Sequence, residues 1–290
     1  MGSDAHASKA SLSHTVFGTS SEYHAKSYDL GGEWGEGTAI VNTRYSAGHV
    51  LHENFSMRSV HLGHRFQGLR SQPTLKAGVF DRTFRGESTR VGLFSLSGEE
   101  LLKKFHYVYQ VGYLPMSEEF QSTFTVREIL RGGNISLGGS YRWADKWRST
   151  FYLQNHFFND DNTRLNHDTG LFYGLSTGDP WIWVGAGAGR MSNTKIDAGY
   201  WTPLEFYNLG PRLDMAFSFY EKWRFLWGLN LNWFKDVKTG EGTGYYSMSK
   251  LFYKLTPGLE AYAALESIQS QQDGNVWKSS ATTVGIAGSW

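Results

Sequence analysis

The sequence predicts an all-β fold: a closed, antiparallel transmembrane barrel of about sixteen strands in the outer membrane of a Gram-negative bacterium. Three observations carry this reading. The 290 residues include 11 Trp, 16 Tyr and 34 Gly, yet the mean hydropathy is negative. No stretch approaches the roughly 20 apolar residues of a membrane helix. Segment after segment alternates large apolar with polar residues, so lipid-facing and lumen-facing positions interleave.

Residues 223–233 show the alternation best. Trp223, Phe225, Trp227, Leu229, Leu231 and Trp233 fall on one face, and Arg224, Gly228, Asn230 and Asn232 on the other. A helix would scatter those Trp residues around its circumference, whereas a strand gathers them. The same code recurs where Phe105, Tyr107, Tyr109, Val111 and Tyr113 oppose His106, Gln110 and Gly112. It recurs where Ile135, Leu137, Tyr141 and Trp143 oppose Asn134, Ser136, Ser140 and Arg142. Leu213, Met215, Phe217 and Phe219 oppose Arg212, Asp214 and Ser218; Leu259, Ala261, Ala263 and Leu265 oppose Glu260, Tyr262 and Glu266. At the C-terminus Thr282, Val284, Ile286, Gly288 and Trp290 share a face. A final amphipathic strand ending in Trp resembles the signal read by the barrel-assembly machinery, which makes that machinery an expected partner through Trp290.

The connections alternate in length. Tight turns are expected at 256–258, 220–222, 178–180 and 144–146, with longer polar loops at 268–276, 235–242, 190–205 and 158–164. Short periplasmic turns with longer outer loops are the usual asymmetry, and an even strand count puts both termini in the periplasm. The pattern does not place strand one within the first 60 residues, and 114–130 reads as either a strand or a helical excursion. Met1-Gly2-Ser3 reads as a cloning scar, so 1–12 is set apart as scar or disordered leader and 13–290 as a single barrel.

Composition narrows the chemistry. The absence of Cys removes disulfides, thiolate metal sites and cysteine nucleophiles, and a net charge of +1 gives no case for nucleic acid. His49, His52, His61 and His64 include pairs three apart, which on a strand point to opposite faces and do not chelate together. Residues Asn159-Asp160-Asp161-Asn162, with Asp168 near, offer oxygen ligands suited to calcium but lack EF-hand spacing. Ser149 and His156 sit in no catalytic motif. Gly185-Ala186-Gly187-Ala188-Gly189 lacks the Lys-Ser/Thr and helix of a phosphate loop, so its glycines read as bends or lumen space. No cofactor, metal site or catalytic residue is expected.

One stretch is more specific. Gly199-Tyr200-Trp201-Thr202-Pro203-Leu204-Glu205-Phe206-Tyr207 lies in the longest expected outer loop and leads into a strand. It resembles the glycine–aromatic–aromatic–small–Pro–x–x–aromatic stretch in the C-terminal barrels of exopolysaccharide export porins, the outer-membrane components of cellulose, poly-N-acetylglucosamine and Pel secretion. The likeness covers about the last hundred residues; the helical-repeat scaffold that precedes those barrels is not seen in this sequence. It implies a porin that conducts a polysaccharide from periplasm to exterior in contact with outer-membrane lipid. It also implies a periplasmic repeat scaffold and an inner-membrane synthase as partners, with synthesis supplying the driving force. The expected pore-lining residues are Arg142, Arg148, Tyr152, Gln154, Arg212, Asp214, Arg224, Asn230, Asn232, Glu260, Tyr262 and Glu266. Tyr200, Trp201 and Pro203 are the expected exit loop. The competing readings are a general or small-solute porin and a lipid-modifying barrel enzyme.

Overall fold

The structure, a computed structural model, describes residues 8–20, 23–35, 38–115, 130–195, 202–272 and 275–290. The first eight strands are β1 (Lys9–Thr19), β2 (Tyr23–Trp34), β3 (Ala39–Val50), β4 (Glu53–Arg65), β5 (Thr74–Phe84), β6 (Glu87–Leu101), β7 (Phe105–Pro115) and β8 (Arg131–Ala144). The second eight are β9 (Trp147–Phe158), β10 (Thr163–Thr177), β11 (Trp181–Asn193), β12 (Glu205–Phe219), β13 (Trp223–Asp236), β14 (Gly240–Thr256), β15 (Leu259–Gln272) and β16 (Asn275–Ser289). Each pairs antiparallel with its chain neighbours, and β1 closes on β16 from Lys9↔Ser289 to Thr19↔Ser279. Closure leaves no unpaired edge, which a hydrocarbon environment requires of a sheet.

The alternation fixes the register. Leu12, Leu30, Leu62, Val79, Phe94, Ile135, Leu171, Leu209, Leu265 and Val284 stand exposed on the outer face, where lipid covers them. Aromatic rings ring the terminus-bearing end of that face, including Trp147 against Tyr173 (5.2 Å) and Trp223 against Tyr253 (4.5 Å). On β13 the outer face runs from Trp223 to Trp233, about the 9–11 residues a tilted strand needs to cross a bilayer.

Several expectations shift. β1 begins at Lys9, inside the stretch set apart as leader, and four strands occupy Lys9–Arg65, where the pattern was unclear. Leu114 and Pro115 end β7; residues 116–129 lie outside the described residues. The four tight turns fall at the terminus-bearing end as expected. The outer loops are shorter than their composition suggests: the strands bracket 159–162, 194–204, 237–239 and 273–274. Polar residues on both faces read as loop, but the ladder continues through them.

The reason appears on β2–β6. Toward the loop-bearing end the outer face turns polar, with Lys26, Arg58 and an Asp81–Arg90 pair (2.6 Å). The inner face there turns apolar: Tyr23, Val50, Phe55, Met57, Phe80, Phe84 and Leu93 pack together, buried. The two faces exchange character where the strands leave hydrocarbon and meet water on the outside.

Candidate functional site

The register places Arg142, Arg148, Tyr152, Gln154, Arg212, Asp214, Arg224, Asn230, Asn232, Glu260, Tyr262 and Glu266 all on the inner face of β8–β15. Across the ladder Tyr152 opposes Asp168, Arg212 opposes Asn230, and Phe252 opposes Tyr262. Ion pairs that skip strands agree with this: Arg148 on β9 reaches Asp214 on β12 (2.6 Å), and Arg224 on β13 reaches Glu260 on β15 (3.6 Å). Only side chains that project into the lumen can cross intervening strands in this way.

The glycine run on β11 makes one crossing feasible. Arg212 lies over Gly187 to reach Asp168; a Cβ at 187 would fall 2.0 Å from the guanidinium carbon. Gly285 likewise lies beneath Tyr262, with the place of a Cβ 2.5 Å from the ring.

Toward the terminus-bearing end the wall is layered. Phe172 and Trp183 are buried in it, and the Arg148 guanidinium lies over them at 4.6 and 5.0 Å, also 5.0 Å from Trp181. Arg142 sits 6.0 Å from the Trp183 ring. Further round, Arg224 covers the buried Phe252 at 4.2 Å, and Lys250 lies 4.8 Å from Phe252 and 4.3 Å from Tyr262. Cations over ring faces are held by the ring quadrupole and lose little mobility on binding a further group. Tyr152 (38% exposed), Trp181 and Tyr262 remain partly open to the lumen.

Sequence reasoning missed Phe172, Trp183, Phe252 and Lys250. Large apolar residues on an inner face look like lipid-facing ones, and only the run of small residues on β11 hints at side chains lying over that strand.

Of the expected exit loop, Tyr200 and Trp201 lie outside the described residues. Pro203 is buried, and its carbonyl accepts a bond from Asn193 Nδ2 (2.7 Å). Asn193, itself buried, also accepts from Arg164 Nε (3.0 Å). The Asn159–Asn162 run is spent on loop bonds: Asn159 accepts from the Arg131 amide, Asp160 from the Asn162 amide, and Asn162 from the Lys195 amide. Asp168 is taken by Arg212. His61 faces the lumen and His64 the outside, and among the described residues no His, Asp or Glu cluster suits a metal. Ser149 lies on the outer face, and His156 stacks on Phe158 at 5.5 Å. In the β5–β6 turn Arg85 forks onto Glu53, which holds the guanidinium pKa above its ordinary value.

No protein-family model and no curated protein matches the sequence. The chain is similar in structure to a protein described as a bacterial polysaccharide outer membrane secretin. The TM-score is 0.75 over 99% of this chain and 100% of that one, at 12% identity. It is also similar to Pseudomonas aeruginosa OccK7 (OpdD), with a TM-score of 0.50 at 10% identity and 98% of each chain covered. For Pseudomonas aeruginosa OpdQ the TM-score is 0.48 at 12% identity, covering 98% of this chain and 99% of that one. The class is therefore plain: this is a sixteen-stranded barrel with the porin fold. A closed antiparallel barrel with an apolar outer face is the architecture of proteins of the Gram-negative outer membrane.

Proposed function

We propose that the barrel conducts a secreted polysaccharide from the periplasm to the cell exterior. The observation that carries this is the inner wall of β8–β15, where partly open rings (Tyr152, Trp181 and Tyr262) alternate with hydrogen-bonding side chains (Gln154, Asn230 and Asn232). A pyranose ring offers one apolar face and a rim of hydroxyls, so a wall of this kind holds it weakly at many points. Weak, repeated binding is what conduction requires. Barrels of sixteen or more strands leave an aqueous channel of useful width. The likeness to a polysaccharide outer membrane secretin supports the same reading.

In this reading the wall transports and does not catalyse, and synthesis at the inner membrane drives the chain, reached through a periplasmic repeat scaffold. In the same reading the assembly machinery recognises the final strand through Trp290, which is 73% exposed beyond β16. The test is single-channel recording in planar bilayers. Neutral hexasaccharides should interrupt the current, and Trp181→Ala with Tyr152→Ala should shorten the interruptions at least threefold while the barrel stays folded. Unchanged interruptions would refute a role for these rings.

A further inference from the structure

We infer that the terminus-bearing mouth of the lumen is a binding site for the carboxylate of an acidic sugar unit, so that the conducted chain is a uronate-type, anionic polysaccharide. This rests on the proposed conduction of a polysaccharide and adds the polymer's charge.

Arg142, Arg148, Arg224 and Lys250 all project inward within about six residues of the short turns, a reach of ~20 Å along a strand. Two carboxylates face them at that level: Asp214 holds Arg148, and Glu260 holds Arg224 at the looser distance of 3.6 Å. Among the described residues Arg142 and Lys250 pair with no carboxylate and rest only against rings. Glu266 lies deeper, across from Met248, and makes no ion pair with Lys250.

On the opposite wall at the same end Arg65, Lys9 and Lys76 face Glu33 and Glu99: Glu33 is shared by Arg65 (3.0 Å) and Lys9 (3.8 Å), and Glu99 lies 3.6 Å from His106. At the far end the charges balance: the inner face carries Glu87 and Asp236 together with Arg82 and Arg164, and Glu53 is engaged by Arg85. The lumen is thus positive where a chain enters from the periplasm and loses that bias toward the exterior. A wall of one sign concentrates counter-charged solutes at its mouth. Guanidinium groups already seated on rings can present a fork to a carboxylate while the neighbouring open ring receives the sugar face.

The probes are hexamers of galacturonate, of neutral glucose and of glucosamine, with monomeric glucuronate, added to the terminus-bearing side of the folded protein in a planar bilayer. In 0.1 M KCl the galacturonate hexamer should interrupt the current at concentrations at least tenfold below the neutral hexamer. That advantage should collapse in 1 M KCl, where screening is nearly complete. Arg142→Gln and Lys250→Gln, each checked for heat-modifiable mobility, should each weaken the galacturonate effect at least threefold, while Arg142→Lys should retain most of it. Equal or stronger interruption by the neutral or glucosamine hexamer would overturn the acidic-sugar site and leave polysaccharide conduction standing. No interruption by any hexamer would overturn conduction itself. Monomeric glucuronate matching the galacturonate hexamer at equal carboxylate concentration would overturn the chain-binding site in favour of one for small anions.

Discussion

Arg212 on β12 passes over Gly187 on β11 and grips Asp168 on β10 with both Nη atoms, at 2.7 and 2.5 Å. Gly187→Val places methyl groups where the guanidinium lies, so the pair must open. Charged hydrogen bonds contribute about 1.5–3 kcal/mol, and in a watered lumen a loss of ~1 kcal/mol is expected. Urea unfolding in detergent micelles should register that loss, with a change in reversal potential as Asp168 is released. An unchanged unfolding midpoint would contradict the crossing.

Adjacent residues of β13 test sidedness. Leu229 faces lipid near the middle of the strand, and Asn230 faces the lumen opposite Arg212. Leu229→Arg should cost about 2–4 kcal/mol and Asn230→Arg close to none. Equal effects on unfolding would show that the faces are misassigned.

The exchange of polarity toward the loop-bearing end makes the opposite demand. Phe80 is inward-facing yet buried in the apolar cluster, so Phe80→Asn should destabilise by about 3–5 kcal/mol, as core truncation does. Arg58 faces outward above the bilayer, and Arg58→Gln should be silent. A neutral Phe80→Asn would mean the cluster contributes no packing.

Asn193 joins Arg164 to the carbonyl of Pro203. Asn193→Ala strands buried partners at a cost of about 1–3 kcal/mol. The expected readout is faster proteolytic cleavage within 194–204 with the barrel intact. Cleavage at the wild-type rate would remove the anchoring role.

How far the sequence could be read follows from where period two has one meaning. Between Trp223 and Trp233, water lies on one side and lipid on the other, and the alternation gives strand, face and register together. On β2–β6 the solvent changes sides partway along, so Phe55, Met57 and Phe80 look lipid-facing by type while pointing inward. The same ambiguity hid Phe172 and Trp183 beneath Arg148. The pairings Arg148–Asp214 and Arg212–Asp168 depend on the stagger of the closed barrel, a long-range property that no local pattern encodes. Polar strand ends such as 268–272 read as loop because their hydrogen bonds, not their composition, keep them in the ladder.

The central claim is passage of a sugar chain through this lumen, and flux measures it most directly. Vesicles loaded with fluorescent oligosaccharides of two, six and twelve units should release all three when they contain the folded protein, more slowly with length. Protein-free vesicles should retain all three. Release of the disaccharide alone, with the six- and twelve-unit chains held back by a barrel that is folded and conducts ions, would contradict the account.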